Sequence, residues 1–102
     1  MISLDVLREI VNNKRHYYTV HAQEQMALRH IEDSEIREII LGKESEIIEE
    51  YADDKYSPSC LIYGATLKGR ILHIQSNYQG VIITAYKPDS SKWHNDMKRR
   101  RK

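Results

Sequence analysis

The sequence has no phenylalanine, one cysteine, one tryptophan, two prolines and only four glycines. A lone cysteine excludes an intrachain disulfide, and Cys60 lies in the apolar run SCLIYGA, the setting of a small buried side chain rather than a nucleophile. So little Gly and Pro, beside 40% hydrophobic and 30% charged residues, excludes collagen-like repetition and general disorder. No basic-then-apolar segment opens the chain, and no apolar stretch nears the roughly 20 residues that cross a bilayer, so a cytoplasmic chain without membrane association is expected. There is no HExxH, no cysteine pair, no Gly-rich phosphate loop and no nucleophile elbow. No metal and no cofactor are therefore expected.

What is present fits one small domain, because 102 residues bury one modest core and leave no room for a second. Residues 1–97 are expected to form this compact domain, with residues 98–102 as a frayed basic tail. The net charge of +1 hides a polarised distribution. Residues 32–54 carry ten acids against two bases, whereas residues 92–102 carry six bases against one acid.

The periodicity changes along the chain. Ser3 is a suitable cap for a first helix with Leu4, Leu7 and Val11 at helical spacing, and Asn12-Asn13 ends it. After a stretch from His16 to Thr19 that is extended or loop, HAQEQMALRHI spaces Ala22 and Met26 one helical turn apart and puts His21, Gln25 and Arg29 in a polar row. A third helix capped by Asp33 or Ser34 carries Ile36, Ile39 and Ile40, with Gly42 as a left-handed stop. From Glu46 the period becomes two. Runs around IIEEY, SCLIYGAT, RILHIQSN and VIITAY are separated by turn signals at Asp53-Asp54, Lys68-Gly69 and Gln79-Gly80.

This order gives an α+β fold: two or three N-terminal helices packed on a four-stranded antiparallel sheet, with a short C-terminal helical segment over residues 90–97. Alternation sends Leu72 and Ile74 to the core and Ile71, His73 and Gln75 to the opposite face. In the last strand Val81, Ile83 and Ala85 suit the core, turning Ile82, Thr84 and Tyr86 outward. His73, Thr84 and Tyr86 then share one open face.

The residues HAQEQMALRHIEDSEI, the Gly42 stop, YSPSCLIYG, LHI and IITAYKPDSSKW together resemble a bacterial and archaeal family known as domain of unknown function 4258. The resemblance covers roughly residues 20–93. That family is similar in expected fold to the small RelE- and barnase-like ribonucleases, often toxins encoded beside small antitoxins, and the resemblance thereby implies RNA cleavage. The family's His-Ala pair falls on His21 and Ala22, its helical Arg on Arg29, its strand histidine on His73, its Thr-x-Tyr on Thr84 and Tyr86, and its late Trp on Trp93. The chain departs at Gln25, where the family usually has Arg, and at His30, where it usually has Gly.

Metal-independent RNA cleavage needs a base for the 2′-hydroxyl, an acid for the leaving oxygen and cations on the phosphate. The expected catalytic constellation is His21, Arg29, His73 and Tyr86. His21 is its base, because the positive end of a helix dipole disfavours a second positive charge. His73 is its acid or a phosphate ligand, and Arg29 its phosphate clamp. Gln25, Thr84, Trp93, Lys98, Arg99 and Arg100 are the candidate substrate-binding residues. Each has a plainer role available: His73 as a hydrogen-bonded strand residue, Arg29 paired with Glu24 or Glu32, Trp93 as an anchor and the basic run as a solvated tail. The leading expectation is a small toxin-like ribonuclease. The alternative is a non-catalytic nucleic-acid-binding or protein-interaction module. The acidic 32–54 region could also dock a cognate antitoxin or another small basic protein.

Overall fold

A computed structural model describes residues 4–53, 55 and 58–101; the expected cap Ser3, the turn residue Asp54 and the terminal Lys102 lie outside them. Three helices, α1 (Leu4–Asn12), α2 (Val20–Arg29) and α3 (Asp33–Leu41), precede most of a five-stranded sheet. Its strands are β1 (Tyr17–Tyr18), β2 (Glu46–Tyr51), β3 (Ser59–Ala65), β4 (Ile71–Asn77) and β5 (Val81–Tyr86), in the spatial order β1-β5-β4-β3-β2. The architecture is α+β, but the sheet is mixed. The expected four antiparallel strands form the meander β2 to β5, and the extended pair Tyr17-Tyr18 adds a parallel edge against Val81 and Ile82.

One face of the sheet carries the core. Leu7 and Val11 of α1, Ala22 and Met26 of α2, and Ile36, Ile39 and Ile40 of α3 pack with Cys60, Ile62, Leu72, Ile74, Ile82 and Ala85. The helix ends are held by side chains. Thr19 caps α2 by accepting from the Ala22 N–H at 2.9 Å. The cap of α3 is Glu32, one residue before the expected Asp33 or Ser34, and its N–H donates to the Glu35 carboxylate at 3.1 Å. Arg8 donates to the Ile40 and Gly42 carbonyls at the end of α3. Gly42 itself is extended at φ −68°, so the left-handed stop expected there is absent. The left-handed position belongs instead to His30 at the end of α2, with φ 54°. This is the place where the family resemblance calls for glycine, and the geometry explains why: a left-handed residue without Cβ escapes a steric penalty. Arg70 closes this helix end, donating to the Arg29 and His30 carbonyls and to the Glu35 carboxylate.

Two β-bulges set the opposite face. In β5 the register jumps between Gln75↔Thr84 and Ser76↔Ile82, so Ile83 is an extra residue and Ile82, rather than Val81 and Ile83, joins the core. In β2 the register jumps between Ile47↔Ile62 and Glu49↔Leu61, making Ile48 the extra residue. Downstream of its bulge β5 keeps the expected parity, with Ala85 inward and Thr84 and Tyr86 outward. The outer face is thus ordered in cross-strand rows: Glu46–Tyr63–His73–Tyr86, then Glu49–Leu61–Gln75–Thr84.

That face is covered. Residues 90–97 form turns, not the expected short helix, and Trp93 pairs as an isolated bridge with Arg100. The segment from residue 90 to 101 lies as a strap over the first row. Trp93 is 2% exposed and meets the His73 ring edge-on at 4.4 Å between centroids. Nor are residues 98–101 frayed. Lys98 bonds Glu46 at 3.0 Å and lies over the Tyr63 ring, Arg100 bonds Glu49 at 2.8 Å, and the Arg101 backbone N–H donates to the Lys92 carbonyl. Opposite charges that sit far apart in sequence are neighbours in space, which removes the reason for the tail to stay in solvent. Among the described residues no helix is long and apolar enough to cross a membrane.

Candidate anion-binding cleft

Where the strap meets β5 and the end of α2, a cleft of about 430 Å³ is lined by Arg29, Tyr86, Lys87, Asp89, Lys92, Trp93 and Arg100. Four cations and one carboxylate converge on it. Arg29 arrives from the last turn of α2, where its guanidinium donates to the Gln25 side chain one turn back. Gln25, the departure from the family pattern, therefore orients the arginine that remains. Tyr86 comes from the outer parity of β5, and Lys87 follows it directly. Asp89 accepts from the Ser91 N–H, a turn that sends the chain back over the sheet. Lys92 and Arg100 come from the strap, with the Arg100 guanidinium stacked 4.6 Å from the centre of the Trp93 ring.

Tyr86 rests on His73. The His73 ring is 0% exposed, with Nε2 2.6 Å from the Met97 carbonyl and Nδ1 3.2 Å from the Tyr86 hydroxyl. A carbonyl can only accept, so Nε2 carries the proton and Nδ1 accepts from the tyrosine. Burial pushes the His73 pKa below its ordinary 6.5, against the opposing pull of the Met97 carbonyl and Glu49, which agrees with this neutral ring. Burial likewise raises the Tyr86 hydroxyl, keeping it protonated. His73 thus has no face toward a substrate, and what reaches the cleft is the tyrosine it aims.

The expected constellation is divided. Arg29, Tyr86, Trp93 and Arg100 line one cleft; Trp93 is its buried wall, 2% exposed, packed on His73 and covered by Arg100 rather than offered to a base. Gln25 and His73 stand immediately behind Arg29 and Tyr86. Thr84 is half-buried in the second row beside Gln75. Lys98 is turned to Glu46 and Arg99 to Asp96, both away from the cleft lining. His21 is exposed in the first turn of α2 and does not line the cleft. Lys87, Asp89 and Lys92 were missed by sequence reasoning, although the stretch YKPDSSKW that carries them follows the Thr-x-Tyr motif directly.

A network continues beside the cleft. Glu49 accepts from Arg100 and from the Tyr51 hydroxyl. Burial pushes the Glu49 carboxyl up, but these two hydrogen bonds outweigh it and hold the group below its usual range. On the far edge of the sheet, Asp33 accepts from both His16 and Tyr18. Cys60 is buried, its thiol pushed up to about 11 chiefly by burial. Among the described residues, no three His, Cys, Asp or Glu side chains gather closely enough to hold a metal ion.

These features define a small α+β domain with a cationic cleft roofed by its own C-terminal strap. By sequence the chain belongs to the family called domain of unknown function (DUF4258), whose model matches residues 18–87. That span holds β2 to β5, α2, α3 and the second residue of β1, and it stops at Lys87, before the strap. No curated protein and no solved structure matches the chain.

Proposed function

We propose that this protein binds RNA through its phosphate backbone, with Arg29, Lys87, Lys92 and Arg100 as the phosphate contacts and the Tyr86 hydroxyl oxygen, whose proton is given to His73, as a fixed acceptor for a ribose hydroxyl. The observation that carries the reading is the convergence, among the described residues, of four cations from three separate elements on a cleft with one acid in its lining. Such a cleft favours a polyanion, because each phosphate releases counterions from the strand it belongs to. RNA is the member of that class implied by the resemblance to small toxin ribonucleases, and the 2′-hydroxyl is the group by which it differs from DNA.

Binding is favoured over cleavage for a geometric reason. A cleaving site needs a base at the 2′-hydroxyl; His73 is sealed beneath Trp93, and His21 stands outside the lining. The ribonuclease reading keeps one supporting observation, the neutral His73 that holds the Tyr86 hydroxyl toward the cations. In the toxin–antitoxin version, a basic partner protein meets the acidic region of residues 32–54, of which Glu46 and Glu49 are already engaged by the strap.

Anisotropy of a labelled single-stranded RNA, measured in EDTA against DNA of the same sequence, tests both readings. Four phosphate contacts give a log–log salt slope near −2.8, so affinity falls about 50-fold between 50 and 200 mM salt. Lys92→Ala removes one contact and about 0.7 from the slope. A slope near zero, or one that Arg29→Ala and Lys92→Ala leave untouched, rejects the cleft as the binding site. Gel analysis of the same samples reads cleavage, and products lost in Tyr86→Phe but retained in His21→Ala would make the protein a nuclease.

A further inference from the structure

The cationic cleft is not the only depression that Arg100 borders. Over the second cross-strand row lies a wider and shallower one, lined among the described residues by Tyr51, Ala52, Asp53, Gln75 and Arg100. The two share Arg100 in their linings, so they lie within reach of one side chain, the first beside β5 and the second beside the end of β2. Their chemistry differs. The first holds Arg29, Lys87 and Lys92 against Asp89, whereas the second, among the described residues, holds no cation except Arg100 and adds the Asp53 carboxylate, the Gln75 amide and the Tyr51 phenol.

Three observations make the second depression unsuited to phosphate and suited to a neutral hydrogen-bonding ring. Glu49, which takes the Arg100 Nε–H at 2.8 Å, brings a second negative charge close to this depression and leaves the other guanidinium donors for the cationic cleft. Asp53 is exposed, and its carboxylate would repel a phosphate there. Gln75 is held in place by its own donation to Ser59 Oγ at 3.1 Å, and Tyr51 by its hydroxyl bond to Glu49, so the floor is ordered by contacts within the sheet. A carboxylate accepts only, and the groups it recognises on a nucleobase are exocyclic amino and ring N–H donors.

We propose that this depression is a nucleobase subsite, resting on the RNA-binding reading above: a phosphate sits in the cationic cleft, Arg100 marks the junction, and the adjoining base reaches Asp53 over the floor that Gln75 and Tyr51 make. The subsite selects bases that bear an amino group, with Asp53 as the specificity-determining residue. Cytosine and uracil are equal in size; cytosine turns an amino group to the carboxylate, whereas the N3–H of uracil lies between two carbonyl oxygens that repel it, so the pair reads out this contact.

The test is anisotropy with 5′-labelled octamers of cytidine and of uridine at 50 mM salt, on the wild-type chain and on Asp53→Ala. The expected wild-type result is cytidine binding at least about fivefold more tightly than uridine, the lower end of base discrimination by a good hydrogen-bonded contact. In Asp53→Ala the ratio collapses toward one, while uridine binding stays the same or strengthens because a negative charge has been removed. Asp53 is an exposed turn residue, and an unchanged melting temperature confirms that the variant is folded. Equal affinity for the two octamers in the wild type overturns the base subsite while leaving RNA binding standing. Retention of the ratio in Asp53→Ala overturns the assignment to this residue. Failure of both octamers to bind overturns the RNA reading itself.

Discussion

Replacing Trp93 by alanine strips the strap of its anchor, and the size of the effect follows from what the indole touches. Trp93 is 2% exposed, lies edge-on against His73 and carries the Arg100 guanidinium on its ring. Truncation of a buried aromatic costs about 3–5 kcal/mol, the lower figure applying where neighbours can collapse into the gap. A strap over a sheet face can settle more easily than three helices can, so about 3 kcal/mol is expected. For a domain of this size that lowers the melting temperature by roughly 12 °C or more. A second readout separates loss of the strap from general softening: with its cover gone, the His73 ring regains solvent and titrates nearer its ordinary 6.5. Thermal melting by circular dichroism and a histidine-resolved NMR titration measure the two. A variant within about 1 kcal/mol of the wild type, with His73 titrating as before, would refute the claim that Trp93 is what buries the histidine.

Three further substitutions follow from the same geometry. The depressed His73 pKa means that the unfolded chain binds this proton first; its contribution is complete above pH 6.5 and is lost as pH falls through the folded value. Stability should therefore decline between pH 6.5 and 4.5, before the depressed carboxyls of Asp33 and Glu49 take effect, and His73→Gln should flatten that interval in denaturant titrations at stepped pH. His30→Gly relieves the left-handed position at the end of α2 and should stabilise the fold by about 0.5–1 kcal/mol in urea unfolding; a loss would show that the His30 side chain has a role of its own. Gly64→Ala places a Cβ 2.5 Å from Ser45 Oγ and 2.7 Å from Ile39 Cγ2, and should cost about 1–3 kcal/mol by the same assay.

Much of this architecture can be read in the sequence because it depends on short-range signals. Apolar spacing marks all three helices, and the turns at Lys68-Gly69 and Gln79-Gly80 mark the hairpins. The facing of Leu72, His73 and Ile74 follows from alternation alone. What escapes is whatever depends on distant partners. Tyr17-Tyr18 is too short to announce a strand and becomes one only because Val81 and Ile82 lie alongside it. Bulges leave no compositional mark, so Ile82 and Ile83 exchange roles against simple parity. Residues 98–101 look like a solvated tail until Glu46 and Glu49 are placed beneath them. The candidate site divides along the same line. Arg29 and Tyr86 carry recognisable motifs and do meet, Lys87 and Lys92 sit within the family-like stretch IITAYKPDSSKW without a role that spacing reveals, and the burial of His73 depends on a Trp93 twenty residues later.

The pairing of β1 with β5 also bears on how the chain can be made. As it leaves the ribosome from its N-terminus, α1, β1 and α2 emerge early, yet the Thr19 N–H that begins α2 donates to the Ile82 carbonyl and the Thr19 hydroxyl donates to the Ile83 carbonyl. More than half of the polypeptide must be synthesised before those acceptors exist, so the apolar stripe of Ala22 and Met26 waits uncovered through that interval. Contacts of such long sequence separation slow folding through the loop entropy they must overcome. The nascent protein is thus dependent on its last strand, and a ribosome stalled before residue 82 would hold a chain whose second helix has nowhere to dock.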